Sequence, residues 1–515
     1  MLQPTTRSRC NIFRRFRDDR NGAIALIFAL AAIPLLMFAG TVIDFGVKSM
    51  NRQAAQDVTD ATVLSLAKLP TTSTDAELAS KADAQVRAAL KKTPIDDLLV
   101  RARRNGDDIT VTATGTSPTS LTRLVGLTGM PISVSSTGRR ASGNLEIALV
   151  LDNTGSMEGA KLTNLKAAAK DLVSTLFKEV DPAKPNALRI GIVPFSMTVN
   201  VGPGNAGAAW IDKDARSSVH SQIFVSAANR LTLFQQMGVA WGGCVEGRPM
   251  PYDVQETPPS ASSPDTLFVP YFAPDEADTE SSRTPMWNSY MADGVSSGTL
   301  RNRQGQVSKY RTGGIQRTGR IDKDSDNYLY GPNSGCELQP ITRLTTSQSG
   351  LNAAVDAMTV RGDTNIPIGL VWGWHVLSPS GPFAEGAAYT DRTTRKFVVL
   401  MTDGQNQSAT RSYSSNASYY SGIGYIWQNR IGTTSDDSTA RRNAIDGRLA
   451  TLCTNMKSAG IAIFTVRVEV SEGTSDILKN CASGSDKFYD VQNASDLTDA
   501  FKAIAAQISE LRIAR

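Results

Sequence analysis

Residues 145–157 of the chain read LEIALVLDNTGSM, and this stretch decides the fold class. A short apolar run bounded by turn residues predicts a buried strand. Asp152, Thr154 and Ser156 follow at two-residue spacing, on the turn before a segment of helical periodicity. Ligands of open α/β sheets collect at the carboxyl ends of the strands. We therefore expect these side chains, whose oxygens suit Mg²⁺, Mn²⁺ or Ca²⁺ better than zinc, to line a binding site.

Strands and helices alternate through the C-terminal part of the chain. Further strands are predicted at 188–195, 396–402 and 461–468, and helices at 162–176, 448–456 and 497–511. This alternation is typical of a doubly wound α/β fold with a mostly parallel sheet, which we assign to residues 145–515.

Residues 200–345 interrupt this alternation. The segment is rich in Gly, Ser, Pro and Asp, and its apolar runs are short. It predicts a loop-rich insertion with some short strands rather than a second core. A structureless loop of this length is implausible in a compact domain, so the segment must be tied down.

The chain has five cysteines, and four of them can supply such ties. Cys10 lies near the N-terminus. Cys244, Cys336, Cys453 and Cys481 allow three pairings, of which Cys244–Cys336 with Cys453–Cys481 is the most economical. A zinc site is the alternative, and it is disfavoured because no C-x-x-C spacing exists and the chain has only two histidines.

The formal net charge of +5 is concentrated at the N-terminus. Residues 1–21 hold six arginines against two aspartates, a charge of +4, and the rest of the chain carries +1. The basic character therefore belongs to a terminal tail and not to a nucleic-acid-binding surface, and no nucleic-acid partner is expected.

Residues 22–43 contain no charge, and as a helix they would be about 33 Å long, enough to cross a bilayer. The positive-inside rule places residues 1–21 in the cytoplasm and the rest of the chain outside. A cleaved signal peptide is one alternative, although its apolar region is usually shorter. Processing after Gly22, as in type IV pilins, is another, but those proteins usually carry Glu where this chain has Ile27.

Residues 44–141 predict a small α+β module. The apolar helix continues past the membrane until Pro70, and a capping-box pattern from Thr74 to Glu77 starts a second helix. Alternation of apolar residues and threonines at 109–113 then predicts extended structure.

Two further segments complete the pattern begun at Asp152. Residues 362–365 read GDTN before an apolar helix, and a strand ends in TDG at 402–404. Together the three segments resemble the metal-ion-dependent adhesion site of von Willebrand factor A domains. In that family two aspartates and three hydroxyls hold a cation, and one coordination position stays open for an acidic residue of a partner. Residue by residue, the resemblance implies the ligands Asp152, Thr154, Ser156, Thr364 and Asp403, with Mg²⁺ as the preferred cation and Mn²⁺ or Ca²⁺ as alternatives.

The resemblance extends to TadG-like proteins of the tight-adherence (Flp) pilus assembly system. The segments that carry it are RDDRNGA at 17–23, DFG at 44–46, WGGCVEGRP at 241–249, GPNSGC at 331–336 and GLVWGW at 369–374. It implies a bacterial inner-membrane protein with one transmembrane helix, a cytoplasmic N-terminus and its bulk in the periplasm or outside the cell.

These observations favour a non-enzymatic, metal-dependent binding protein of pilus assembly or surface adhesion. Without metal, we expect the two aspartates to lie close together with no compensating charge. One alternative is a structural, pilin-like envelope protein that does not use its metal site. A metal-dependent hydrolase is another, disfavoured because Ser156 lacks the flanking glycines of G-x-S-x-G.

Overall fold

The computed structural model describes most of the chain. The described residues are 22–67, 69, 73–105, 108–139, 143–180, 184–226, 228–278, 287–293, 297–313, 330–411, 414–469 and 476–513. The predicted cytoplasmic tail lies outside them, as do parts of the predicted insertion. The chain divides into two compact units, Met1–Ala141 and Ser142–Arg515.

The first unit combines two helices with a three-stranded antiparallel sheet. Its elements are α1 Gly22–Ala67, α2 Asp75–Ala89, β1 Asp96–Asn105, β2 Asp108–Pro118 and β3 Gly129–Arg139. The strands pair in the order β1-β2-β3, and the helices cover one face of the sheet through apolar side chains. The predicted capping box at the start of α2 is confirmed, since Thr74 and Glu77 exchange hydrogen bonds.

Helix α1 is the one helix in the described part of the chain that is long and apolar enough to cross a membrane. Its candidate span is Ile27–Ala67, within which an 18-residue window has a mean hydropathy of 2.1. The large apolar side chains from Ile27 to Phe38 are exposed in the isolated chain. This surface has the composition of a membrane-spanning helix.

The second unit is an α/β unit. In chain order its elements are β4 Asn144–Asp152, α3 Ala160–Lys178, β5 Leu188–Phe195, β6 Val199–Asn200, α4 Ser218–Ile223, α5 Arg230–Met237, β7 Cys244–Val245, α6 Leu300–Gln304, β8 Thr342–Thr345, α7 Gln348–Asp356, α8 Ile366–Leu377, β9 Thr394–Thr402, α9 Ser438–Ser458, β10 Ala462–Val468, α10 Asp476–Cys481, β11 Phe488–Val491 and α11 Leu497–Ile513.

The sheet of this unit is mixed. Strands β11, β10, β9, β4 and β5 are neighbours in that order, and each of these pairs is parallel. The short strands β6, β7 and β8 join by antiparallel pairing at the β5 side. The predicted α/β class is therefore confirmed, with an antiparallel extension of the sheet that the apolar patterns do not reveal.

Strand β4 lies at the centre of the parallel region and is buried on both faces. Ala148 and Val150 pack in the apolar cluster that contains α8, whereas Leu149 and Leu151 pack in the cluster that contains α3 and α11. Because successive side chains of a strand point to opposite faces, only a continuous apolar run can fill this position. This is the physical reason for the sequence of residues 145–151.

Glu146 is the one charged residue of that run, and the neighbouring strands neutralise it. Arg189 on β5 and Lys396 on β9 stand opposite Glu146 in the strand registers. Both form ion pairs with its carboxylate, and the Lys396 Nζ lies 2.5 Å from Oε2. A buried carboxylate is tolerated only when paired in this way.

The described parts of residues 200–345 fold back onto the α8 face of the sheet. Their apolar side chains, among them Phe268 and Phe272, belong to the same cluster as the side chains of α8. A buried Glu246 between Arg230 and Arg430 ties this segment to the region before α9. The segment is thus held by the core of the second unit.

Two disulfides add covalent ties. Cys244 is joined to Cys336, closing a sequence separation of 92 residues, and Cys453 is joined to Cys481 across 28 residues. These are the pairs that the sequence favours on grounds of economy. All four cysteines are buried.

The two disulfides are expected to differ in their contribution to stability. Loop-closure entropy assigns about 4.6 kcal/mol to the longer loop and about 3.6 kcal/mol to the shorter one. The double variant Cys244→Ala/Cys336→Ala should therefore lose about 1 kcal/mol more unfolding free energy than Cys453→Ala/Cys481→Ala. Urea unfolding of the full chain in detergent, followed by tryptophan fluorescence, measures this, because all six tryptophans lie in the second unit. Equal losses would contradict the loop-closure expectation, and free thiols in the wild type would contradict the disulfide pairing.

Candidate functional site

The candidate site is built at the carboxyl ends of two neighbouring parallel strands. Asp152 is the last residue of β4, and Thr402 is the last residue of β9. The Asp152 carboxylate accepts hydrogen bonds from the Thr154 backbone N–H (2.8 Å, to Oδ1) and from the Thr402 hydroxyl (2.6 Å, to Oδ2). Both oxygens are held in place, and the carboxylate is fully buried.

The hydroxyls of the first motif connect Asp152 to Asp403. The Thr154 Oγ1 and Ser156 Oγ atoms lie 3.0 Å apart, and the Ser156 hydroxyl donates to Asp403 Oδ1 at 2.7 Å. Four of the five residues predicted as ligands therefore belong to one hydrogen-bonded chain.

The fifth residue, Thr364, lies beside this chain. A Cβ atom added to Gly404 would stand 3.3 Å from the Thr364 Oγ1 and 3.9 Å from the Ser156 Oγ, so both hydroxyls face the same small space. The Thr364 loop is fixed by two backbone hydrogen bonds, from the Gly155 N–H to the Gly362 carbonyl (3.1 Å) and from the Gln407 N–H to the Thr364 carbonyl (2.8 Å). A side chain at position 404 would press against the Thr364 hydroxyl and contact the Ser156 hydroxyl.

The electrostatics of the site depend on a residue outside the predicted set. The Lys161 Nζ, at the start of α3, lies 2.7 Å from Asp403 Oδ2. The expectation that the two aspartates lack a compensating charge is therefore wrong. Burial, and after it the charge of Asp403, raise the pKa of the Asp152 carboxyl to about 6. Lys161 thus neutralises Asp403, whereas the Asp152 carboxylate has no cationic partner among the described residues.

Several residues that hold the site were not identified from the sequence. Asn153 anchors the segment before Thr364, because its side-chain amide donates to the Thr359 carbonyl and its own carbonyl accepts from the Arg361 N–H, at 2.8 and 2.7 Å. Asn406 accepts from the Ile366 N–H at 2.8 Å. The only sequence signal for these two asparagines is that they are polar residues next to a strand end, and this signal does not specify which backbone groups they bind.

The donor set of this edge consists of two carboxylates and three hydroxyls. Such oxygens are the ligands that hard divalent cations prefer. Within the residues that the structure describes, no three histidine, cysteine or acidic side chains come together as a metal site, so a cation here would depend on hydroxyl ligands. Ser156 is exposed while Asp152, Thr154, Thr364 and Asp403 are buried, which leaves the edge open to solvent on one side.

Comparison with known structures finds distant likenesses. The von Willebrand factor domain of the type V pilus tip protein Mfa5 from Porphyromonas gingivalis is 10% identical, over 72% of this chain and 97% of that one, with a TM-score of 0.34. The pilus adhesin RrgA from Streptococcus pneumoniae is 9% identical over 81% and 50%, with a TM-score of 0.32. Proximal thread matrix protein 1 from the mussel byssus, in a form with a zinc-occupied MIDAS motif, is 15% identical over 71% and 96%, with a TM-score of 0.20.

The chain spans about half the length of some of these proteins, such as RrgA. No match was found among curated proteins.

A family model gives a more definite result for the N-terminal helix. The model is described as Flp pilus-assembly TadE/G-like, and it matches residues 22–67, which are the whole of α1. Residues 22–67 are thus similar to the TadE/G-like segment of Flp pilus-assembly proteins.

Proposed function

We propose that the chain is a membrane-anchored component of Flp pilus assembly or surface adhesion that binds protein partners through a divalent cation. The proposed ligands are the oxygen-bearing residues at the carboxyl edge of the sheet: Asp152, Thr154, Ser156, Thr364 and Asp403. The observation that carries the proposal is that Asp152, Thr154, Ser156 and Asp403 form one hydrogen-bonded chain, with the Thr364 hydroxyl beside it at Gly404.

Each of these residues has a separable task. The carboxylates of Asp152 and Asp403 supply the negative charge, and the neutral hydroxyls add donors without adding charge. Thr402 and the Thr154 N–H orient Asp152 by hydrogen bonds. Mg²⁺, the cation we favour, would when bound attract one further anionic oxygen. The exposed side at Ser156 would admit it as a carboxylate of a partner protein.

We further propose that the second unit is a von Willebrand factor A-like domain, doubly wound, with residues 200–345 inserted into it. Helices on both faces of the parallel strands support this: α3, α7 and α11 pack in one apolar cluster, and α8, α9 and α10 pack in the other. Residues 44–141 would form the module that links this domain to the membrane helix.

The orientation proposed from the arginine-rich tail places the second unit outside the cytoplasm, in the periplasm or beyond. Its two disulfides favour an oxidising compartment. Alkaline phosphatase fused after Arg515 should be active, and β-galactosidase fused there inactive. The reverse pattern would overturn the orientation.

A purely structural role is the second candidate. The ion pair between Lys161 and Asp403, with the hydrogen bonds of Ser156 and Thr402, satisfies much of the site from within the chain. No catalytic role is proposed. Of the two histidines, His220 is bound to Asp212, and His375 packs against Phe268.

Divalent cations are expected to stabilise the second unit. Binding to the folded state alone adds about 2.7 kcal/mol when the free cation is at 100 times its dissociation constant. The full chain in detergent should therefore melt at a higher temperature in Mg²⁺ than in chelator. Asp152→Ala should abolish this increment, because it removes one of the two carboxylates that would hold the cation.

The matched control is Asp356→Ala, which removes an exposed carboxylate paired with Lys170 on α3. It should keep the full increment. An equal increment in Asp152→Ala, or no bound cation in calorimetry at millimolar Mg²⁺, would reject the metal site and favour the structural role.

Lys161 is expected to compete with the cation for Asp403. Lys161→Met keeps the length of the side chain but removes its charge. The dissociation constant for Mg²⁺ should then fall about tenfold, which corresponds to about 1.4 kcal/mol. Titration calorimetry measures it. Lys166→Met on the same helix is the control, since Lys166 binds the Asp356 carbonyl instead. Unchanged affinity in Lys161→Met would mean that the cation does not use Asp403.

A further inference from the structure

The connection between β2 and β3 exposes an unusual amount of apolar surface. In residues 121–127, which we term the apolar loop, Leu121, Leu124, Val125 and Leu127 are 44, 85, 48 and 57% exposed. The loop holds one short 3₁₀ helix, Thr122–Val125. Contiguous exposed apolar side chains of this size mark a surface that contacts another molecule or a membrane.

The apolar loop is fixed to α1 at the end of its uncharged run. Asp44 follows that run, and its buried carboxylate accepts hydrogen bonds from the backbone N–H groups of Ser120, Leu121 and Thr122 at 3.0, 3.0 and 2.7 Å. The Thr122 hydroxyl adds a fourth, at 2.8 Å. One carboxylate therefore sets the height of the loop along the helix.

A close approach of the two chain segments confirms this height. A Cβ atom on Gly40 would stand only 2.7 Å from the Leu121 Cβ, so the loop packs on the bare backbone of α1 one turn before Asp44. On the helix itself, Val42, Ile43 and Phe45 are exposed at the same level. The apolar surface of α1 thus continues into the loop.

Several polar backbone groups of the loop are hydrogen-bonded within the loop itself. The N–H groups of Leu124, Gly126 and Leu127 donate to the carbonyls of Leu121, Arg123 and Thr122, at 3.2, 3.1 and 3.2 Å. The Thr119 hydroxyl donates to the Leu127 carbonyl. Polar backbone groups that are paired within the segment can enter a lipid environment at low cost, whereas unpaired ones cannot.

Cations border the apolar surface. Arg123 lies in the loop and is exposed, and Lys48 and Arg52 follow on α1. Long basic side chains at this depth can direct their charges to lipid headgroups while their stems stay in apolar surroundings.

We propose that the apolar loop inserts into the lipid leaflet at the end of the α1 span, as a second membrane contact of the first unit. This rests on the proposed membrane-spanning role of α1. The occupant is the lipid bilayer, because the loop is continuous with the helix surface that the bilayer would cover and lies at the depth of residues 40–44. A helix and a loop joined by Asp44 would hold the module at a fixed tilt on the membrane, which contact through the helix alone would not fix.

Spin labels at three matched leucines test the depth of the loop. Leu36 and Leu64 are exposed on α1, and Leu64 lies 20 residues beyond Asp44, about 30 Å along the helix. The variants Leu36→Cys, Leu124→Cys and Leu64→Cys are made in the full chain with Cys10→Ser, since the other four cysteines are in disulfides. Each is labelled in lipid nanodiscs that hold one copy.

Collision rates of the labels with oxygen and with a water-soluble nickel complex give the result. We expect oxygen to dominate at Leu36 and Leu124 and the nickel complex to dominate at Leu64, so that the depth parameter changes sign between Leu124 and Leu64. If the label at Leu124 is in water while the label at Leu36 is in lipid, the proposed loop insertion is wrong, but the membrane anchor α1 is still supported. A label at Leu36 in water would overturn the anchor itself. A label at Leu124 shielded from both reagents would indicate a protein contact and also reject insertion.

Discussion

The parallel pairing of β4 and β9 brings two carboxylates to one edge of the sheet, and the other residues of the site stabilise these two charges. Asp152 ends one strand, and Asp403 follows the end of its neighbour. Burial, and after it the charge of Asp403, raise the pKa of the Asp152 carboxyl. The hydroxyls of Ser156 and Thr402 and the ammonium of Lys161 each stabilise one of the two carboxylates. A divalent cation would satisfy both at once, which is why the proposed function centres on this edge.

The central strand and the residue types of the site could be predicted from the sequence because each has a local cause. Strand β4 is buried on both faces, so its residues from Ile147 to Leu151 are continuously apolar, and Asp152 marks the point where the chain leaves the sheet. The position of Lys161 could not be predicted in the same way. Its ammonium reaches Asp403, 242 residues away, only because α3 starts beside the end of β9. A lysine at the start of a helix gives no sign of such a partner.

The sequence predicts some short strands in residues 200–345, but it does not predict where β6, β7 and β8 lie or how they pair, and it does not reveal the apolar loop. The strands are two to four residues long, and pairing with β5 or with each other defines them, not an apolar pattern of their own. The leucines of the loop resemble those of any buried turn until the structure places them outside, held by Asp44. Local composition thus predicts which residues are apolar, but the tertiary contacts decide which of them remain exposed.

The proposed function of the second unit depends on whether a cation joins the carboxylates at the sheet edge. Anomalous diffraction from crystals of the chain grown with Mn²⁺ tests this most directly, because the metal signal locates the ion without reference to any partner. We expect one strong peak within coordination distance of the Ser156 and Thr154 hydroxyls and the Asp403 carboxylate, with the Lys161 ammonium displaced. A saturated crystal with no peak at this edge, and with Lys161 still bound to Asp403, would contradict this expectation.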